Sequence, residues 1–179
     1  MRIIALAALT LLLTGCVPAD PIVTPVPVPS ATPLFATDAD ALKAAEDAYA
    51  AYLKVSDQIL ADGGADPDRI DAVATPAVAK SDGVSFAKYR AQGLHAVGDI
   101  QFSGASLESY TPTAYESVVR IYVCVDVSET DVVDTGGRSV IDPGRQAVTP
   151  FEIAFNPEPG SSSLKVSSHD AWTGKDFCK

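Results

Sequence analysis

The sequence predicts an α+β fold, N-terminal helices packed on a curved antiparallel sheet, and three observations point there. Between residues 37 and 92 apolar side chains recur at helical spacing, bounded by helix-start and helix-stop residues. From Gly93 onward short β-branched runs alternate with Gly, Pro and Asp turns. The longest of these runs, residues 115–128, places Val119, Ile121, Val123, Val125 and Val127 on one face. Its other face carries Val118, Arg120, Tyr122, Cys124 and Asp126, a mixture suited to partial solvent, a helix or a pocket. Helices first and an antiparallel meander after is an α+β plan.

The 179 residues carry a formal net charge of −10 and a sequence pI near 4.4. That length allows one domain. The 13 Lys and Arg are scattered, so the chain lacks the basic stripe that nucleic acid or anionic lipid would require.

At the N-terminus, Met1-Arg2 precedes an apolar run, residues 3–13, of signal-peptide length and too short to span a bilayer. It ends Leu13-Thr14-Gly15-Cys16, which resembles a bacterial lipobox. The resemblance implies removal of residues 1–15 and diacylglycerol and palmitate on Cys16; the alternative is an ordinary secretory signal with a chance cysteine. Residues 16–35 carry Pro18, Pro21, Pro25, Pro27, Pro29 and Pro33. Fixed φ angles and missing N–H donors make this an extended tether of roughly 3.1 Å per residue rather than helix or sheet. A Pro-rich ligand for a partner groove is the other reading, weakened by the absence of basic anchors.

The folded domain is expected at residues 36–179. Thr37 can cap a helix over residues 38–60, with Leu42, Ala45, Tyr49, Tyr52, Leu53 and Ile59 on one side and Lys43, Glu46, Asp47, Lys54 and Asp57 on the other. Asp62-Gly63-Gly64 ends it. Asp66-Pro67 starts a short helix through Val73, and Thr75-Pro76 starts another through Gln92, loosened near Ser81-Asp82-Gly83 and stopped at Gly93. The acids Asp62, Asp66, Asp68 and Asp71 lack the alternating oxygen spacing and terminal Glu of a calcium loop, so capping accounts for them better. Residues 94–109 hold two short strands or one bent strand, with Gly98 and Gly104 as bend points. The central strand runs to Ser128 or on to Val133, before turns at 134–137 and 142–144. Residues 148–155 form a strand in which Pro150 belongs at an edge or a bulge, and a hairpin at 156–160 returns through 164–172.

Helices followed by a curved sheet resemble the nuclear transport factor two-like, cone-shaped superfamily, which includes ketosteroid isomerases and polyketide cyclases. More narrowly, the lipobox, the strand Tyr122-Val123-Cys124-Val125-Asp126-Val127-Ser128, Trp172 and Cys178 resemble those of small actinobacterial lipoproteins. The superfamily implies a cavity between helix and sheet, and the residues whose polar tips could enter it are Tyr49, Tyr52, Tyr89, Tyr122, Asp126, His169 and Trp172. An Asp with a Tyr in an apolar cone resembles the isomerases, where a carboxylate moves a proton and a phenol donates to an oxyanion. No motif fixes Asp126 and Tyr122 in those roles, and no catalytic residue is assigned. His169 has no spaced partner, so neither a metal nor a cofactor is expected. With Cys16 lipidated, Cys124 and Cys178 are the thiols left in an exported chain, and a disulfide between them is expected.

Two functional classes follow. The first is a membrane-tethered, extracytoplasmic, non-enzymatic binding or accessory domain, held to the bilayer through Cys16 and engaging a small apolar ligand or an envelope protein. The second is a cone-fold enzyme of the isomerase or hydrolase type acting on a small apolar substrate. A polar pocket with a buried carboxylate of raised pKa favours the enzyme, and a narrow interior packed with Tyr and Val favours the accessory domain.

Overall fold

The computed structural model describes residues 33–113 and 118–179. Residues 1–15, Cys16 and the tether up to Thr32 lie outside these, as do Tyr115, Glu116 and Ser117 of the long β run. The described residues belong to one compact unit.

Helix α1 (Asp38–Ala61) starts as its sequence dictates: Thr37 Oγ1 accepts the Asp40 N–H (3.1 Å) and donates to the Asp40 carboxylate (2.8 Å). Pro67–Ala72 tighten into a 3-10 turn instead of an α-helix. Asp66 enters it at φ +47° without a side-chain cap, a backbone state that Asp tolerates better than most residues. Asp62 is held by Arg69 at 2.7 Å. Helix α2 (Pro76–Gln92) runs unbroken through Ser81-Asp82-Gly83, where loosening was expected, and stops at Gly93. Gly83 lowers helix propensity by about 1 kcal/mol, which the buried Phe86 and the bond from Tyr52 to Asp82 offset.

The strands are β1 (His95–Val97), β2 (Gln101–Tyr110), β3 (Val119–Asp126), β4 (Asp131–Val133), β5 (Val148–Pro157) and β6 (Leu164–Ala171). An antiparallel sheet of order β2-β3-β5-β6 forms the expected meander, while β1 and β4 pair in a separate two-stranded sheet. The central strand therefore does not continue to Val133. The Asp126 carboxylate takes the Ser128 N–H (2.8 Å) and Thr130 N–H closes on Val127 C=O (3.1 Å), so the chain turns between β3 and β4. Gly98 and Gly104 are bend points as expected, at φ +80° and +65°. A Cβ at Gly98 would fall 2.2 Å from the Glu129 carbonyl oxygen, and Gly104 lies within a register shift of β2.

Pro150 stands in an interior strand, not at an edge or bulge. Its carbonyl accepts the Trp172 N–H (2.8 Å), so its missing donor faces the side where β6 has just ended. No ladder bond of the β3–β5 pair is lost, because Cys124 opposite Pro150 occupies a position that exchanges none.

Period two along β3 decides the layers. Val119, Ile121, Val123 and Val125 are buried with Ile153 and Phe155 under α1, which crosses β2, β3 and β6. The opposite face is covered by the chain's own end: Cys124 and Cys178 are disulfide-bonded with Cα atoms 5.6 Å apart, and Tyr122 contacts Trp172 (ring centroids 5.0 Å) and Phe177 (5.5 Å). At the other terminus Leu34 and Phe35 pack on the core, ahead of the expected start at residue 36.

Candidate functional site

The interior cluster is built where α1 crosses the sheet. Tyr49 and Tyr52, three residues apart, share the buried face of α1 and their rings lie 6.1 Å apart. His169 of β6 meets both rings edge-on at 5.6 Å, and Tyr49 Oη lies 3.0 Å from His169 Nε2. Phe102 of β2 contacts Tyr49 (5.0 Å) and Phe151 of β5 contacts His169 (4.7 Å). Tyr52 Oη donates to Asp82 Oδ2 at 2.9 Å, which joins α1 to α2.

Burial sets the protonation of this cluster. It pushes both phenols above the ordinary tyrosine range, with further upward pressure from Asp57 on Tyr49 and from Asp82 on Tyr52. It also pushes His169 down to about 4, against a weaker pull from Asp170. Asp82 is raised by burial and partly restored by the Tyr52 hydrogen bond. At neutral pH the cluster thus holds neutral phenols and a neutral imidazole: a satisfied, packed interior.

The other four expected pocket residues lie elsewhere. Tyr122 and Trp172 are on the outer sheet face beneath the C-terminal tail. Asp126 is a turn-former, its carboxyl held below the usual range by the Ser128 N–H. Tyr89 sits at the C-terminal end of α2, raised by burial and lowered by Arg145. An Asp126–Tyr122 pair facing an interior cone is therefore absent; both residues belong to the opposite face of β3.

Two carboxylates were missed. Asp82 is one. The other is Asp57, assigned to the polar side of α1 yet only 8% exposed. Its spacing holds the signal: four residues after Leu53 and eight after Tyr49, it continues their buried stripe. Asp57 Oδ2 accepts the Ile100 N–H (3.0 Å), tying α1 to the β1–β2 turn. Burial raises its pKa to about 6, opposed by that hydrogen bond and reinforced by Asp99. It lines a cleft of about 390 Å³ with Lys54, Gln58, Asp99, Gln101 and Phe102. Among the described residues no group of three or more His, Cys, Asp or Glu side chains is arranged to hold a metal ion.

No protein family and no curated protein matches the chain. Among solved structures it is similar to the intermembrane space region of chloroplast protein ARC6, with a TM-score of 0.53 at 12% identity over 74% of this chain and 97% of that one. At that identity the likeness shows the fold, helices against an antiparallel sheet, and nothing of activity. A de novo designed β-sheet protein matches at a TM-score of 0.32 and 14% identity, over 79% of this chain and 98% of that one.

Proposed function

We propose that this chain is a lipid-anchored, extracytoplasmic lipoprotein whose folded part is a non-enzymatic binding or accessory domain. The observation that carries the reading is the filled interior. Where a cone-fold isomerase needs an open cavity beside its acid, Tyr49, Tyr52 and His169 are packed on one another and on Phe102 and Phe151. The Cys124–Cys178 bond supports export, because a structural disulfide persists in an oxidising compartment. Among the described residues no helix is long and apolar enough to cross a membrane, so attachment in this reading falls to acyl chains on Cys16.

Asp57 favours a second reading. A carboxyl raised to about 6 in a cleft can exchange a proton near neutral pH, the requirement of an isomerase- or hydrolase-type site. A substrate whose turnover collapses in Asp57→Asn with the fold retained would establish it.

The anchor is tested by fractionation of cells expressing Cys16→Ala. The expected result is loss of the mature, membrane-bound form. A variant that still fractionates with membrane as a processed species would overturn the anchor.

A further inference from the structure

We propose that the cleft between α1 and the β1–β2 turn is a binding site for a small organic cation, an alkylammonium, with Asp57 as its counter-ion. The proposal rests on the reading of the domain as a binding module and gives that module a ligand class.

Asp57 is more than nine-tenths buried, and one of its two oxygens is committed: Oδ2 takes the Ile100 N–H. Oδ1 takes no hydrogen bond from any described residue. It is not sealed either, since among the described residues Ser167 Oγ is the side-chain atom both buried and unbonded. An acceptor with a spare oxygen therefore opens onto the cleft.

A buried carboxylate needs a counter-charge, because removing it from water is costly unless it is paired. Among the described residues none forms an ion pair with it. Lys54 lines the same cleft, but its side chain is exposed and makes no ion pair with Asp57 among the described residues. Asp99 adds negative charge at the same wall, which disfavours an anion and favours a cation. Leu53 and Phe102 give the cleft an apolar side for an alkyl body. At about 390 Å³ the space falls in the lower range of small-molecule sites.

The test is an amide NMR titration of the full chain in detergent at neutral pH, with n-butylammonium, n-butanol and butyrate as probes. Butylammonium is expected to shift the Ile100 and Gln101 amides saturably, with butanol about tenfold weaker and butyrate without effect. Asp57→Asn keeps an oxygen for the Ile100 N–H but loses the charge, and should weaken butylammonium about tenfold. Asp99→Asn alters an exposed side chain and should weaken it about two- to threefold. No saturable shift, an equal response to butanol, or unchanged affinity in both variants would overturn the proposal. Each of those outcomes leaves the Cys16 experiment free to succeed or fail by itself.

Discussion

Asp57 and His169 make opposite contributions to stability between pH 4 and 6.5. Burial raises Asp57 from 3.8 to about 6, so the folded state holds that proton more tightly than the unfolded chain. Its stabilising contribution is complete below pH 3.8 and lost as pH rises to about 6. Burial lowers His169 from 6.5 to about 4, and the sign reverses: its contribution is complete above pH 6.5 and lost as pH falls to about 4. Acidification from pH 7 to 4.5 therefore brings a gain at one site and a loss at the other. Relative to the wild type, Asp57→Asn should lose about 2 kcal/mol of stability on acidification to pH 4.5, and His169→Phe should gain a similar amount. Thermal melts of the three chains across that range check this; parallel profiles would refute the opposition. At this scale the sequence was half legible. Tyr49, Tyr52 and His169 stood out as aromatic or titratable residues with a place in the helix and strand patterns. Asp57 was hidden because sorting α1 by residue type put an acid on the wet side, although its spacing put it on the dry one.

The entry segment shows how an element boundary is set by one partner far away in sequence. Tyr110 Oη accepts the Phe35 N–H (2.6 Å) and donates to the Phe35 carbonyl (3.0 Å), while the two rings lie 5.7 Å apart. Leu34 N–H also reaches the Pro112 carbonyl. A chain beginning at Pro33 should keep the thermal midpoint of the full domain. One beginning at Ala36 loses this clasp, and should melt several degrees lower, about 1–2 kcal/mol, by loss of apolar burial and three hydrogen bonds. Equal midpoints would show that the contacts add nothing. Two residues, Leu34 and Phe35, carry no period and follow a proline run, so sequence alone assigned them to the tether. Elements with a local cause were legible: the Thr37 cap, the Gly93 stop and the alternation along β3. Those with a distant cause were not. The break after Asp126 is stabilised by Arg145, whose guanidinium reaches the Val127 carbonyl at 2.6 Å and the Thr130 carbonyl across 15 residues. Pro150 is tolerated because a different strand ends beside it.

For the molecule as a whole, the tail and the N-terminal cysteine belong to one argument about compartment. The bond between Cys124 and Cys178 closes a loop of 54 residues, for which chain entropy gives about 4 kcal/mol. It fixes the tail over Tyr122 and covers the outer face of β3 with Trp172 and Phe177. The pairing was legible because, with Cys16 set aside in its lipobox-like run, two cysteines and a glycine-containing tail remained to be joined; what the tail covers was not, since Trp172 and Phe177 have no strand period to place them. Intact mass of the non-reduced protein extracted from membranes tests the tethered, exported reading most directly. The account predicts a species lacking residues 1–15, heavier by acyl groups on Cys16 and with no alkylatable thiol at Cys124 or Cys178. A mature chain carrying an unmodified Cys16, or two freely alkylated thiols, would contradict it.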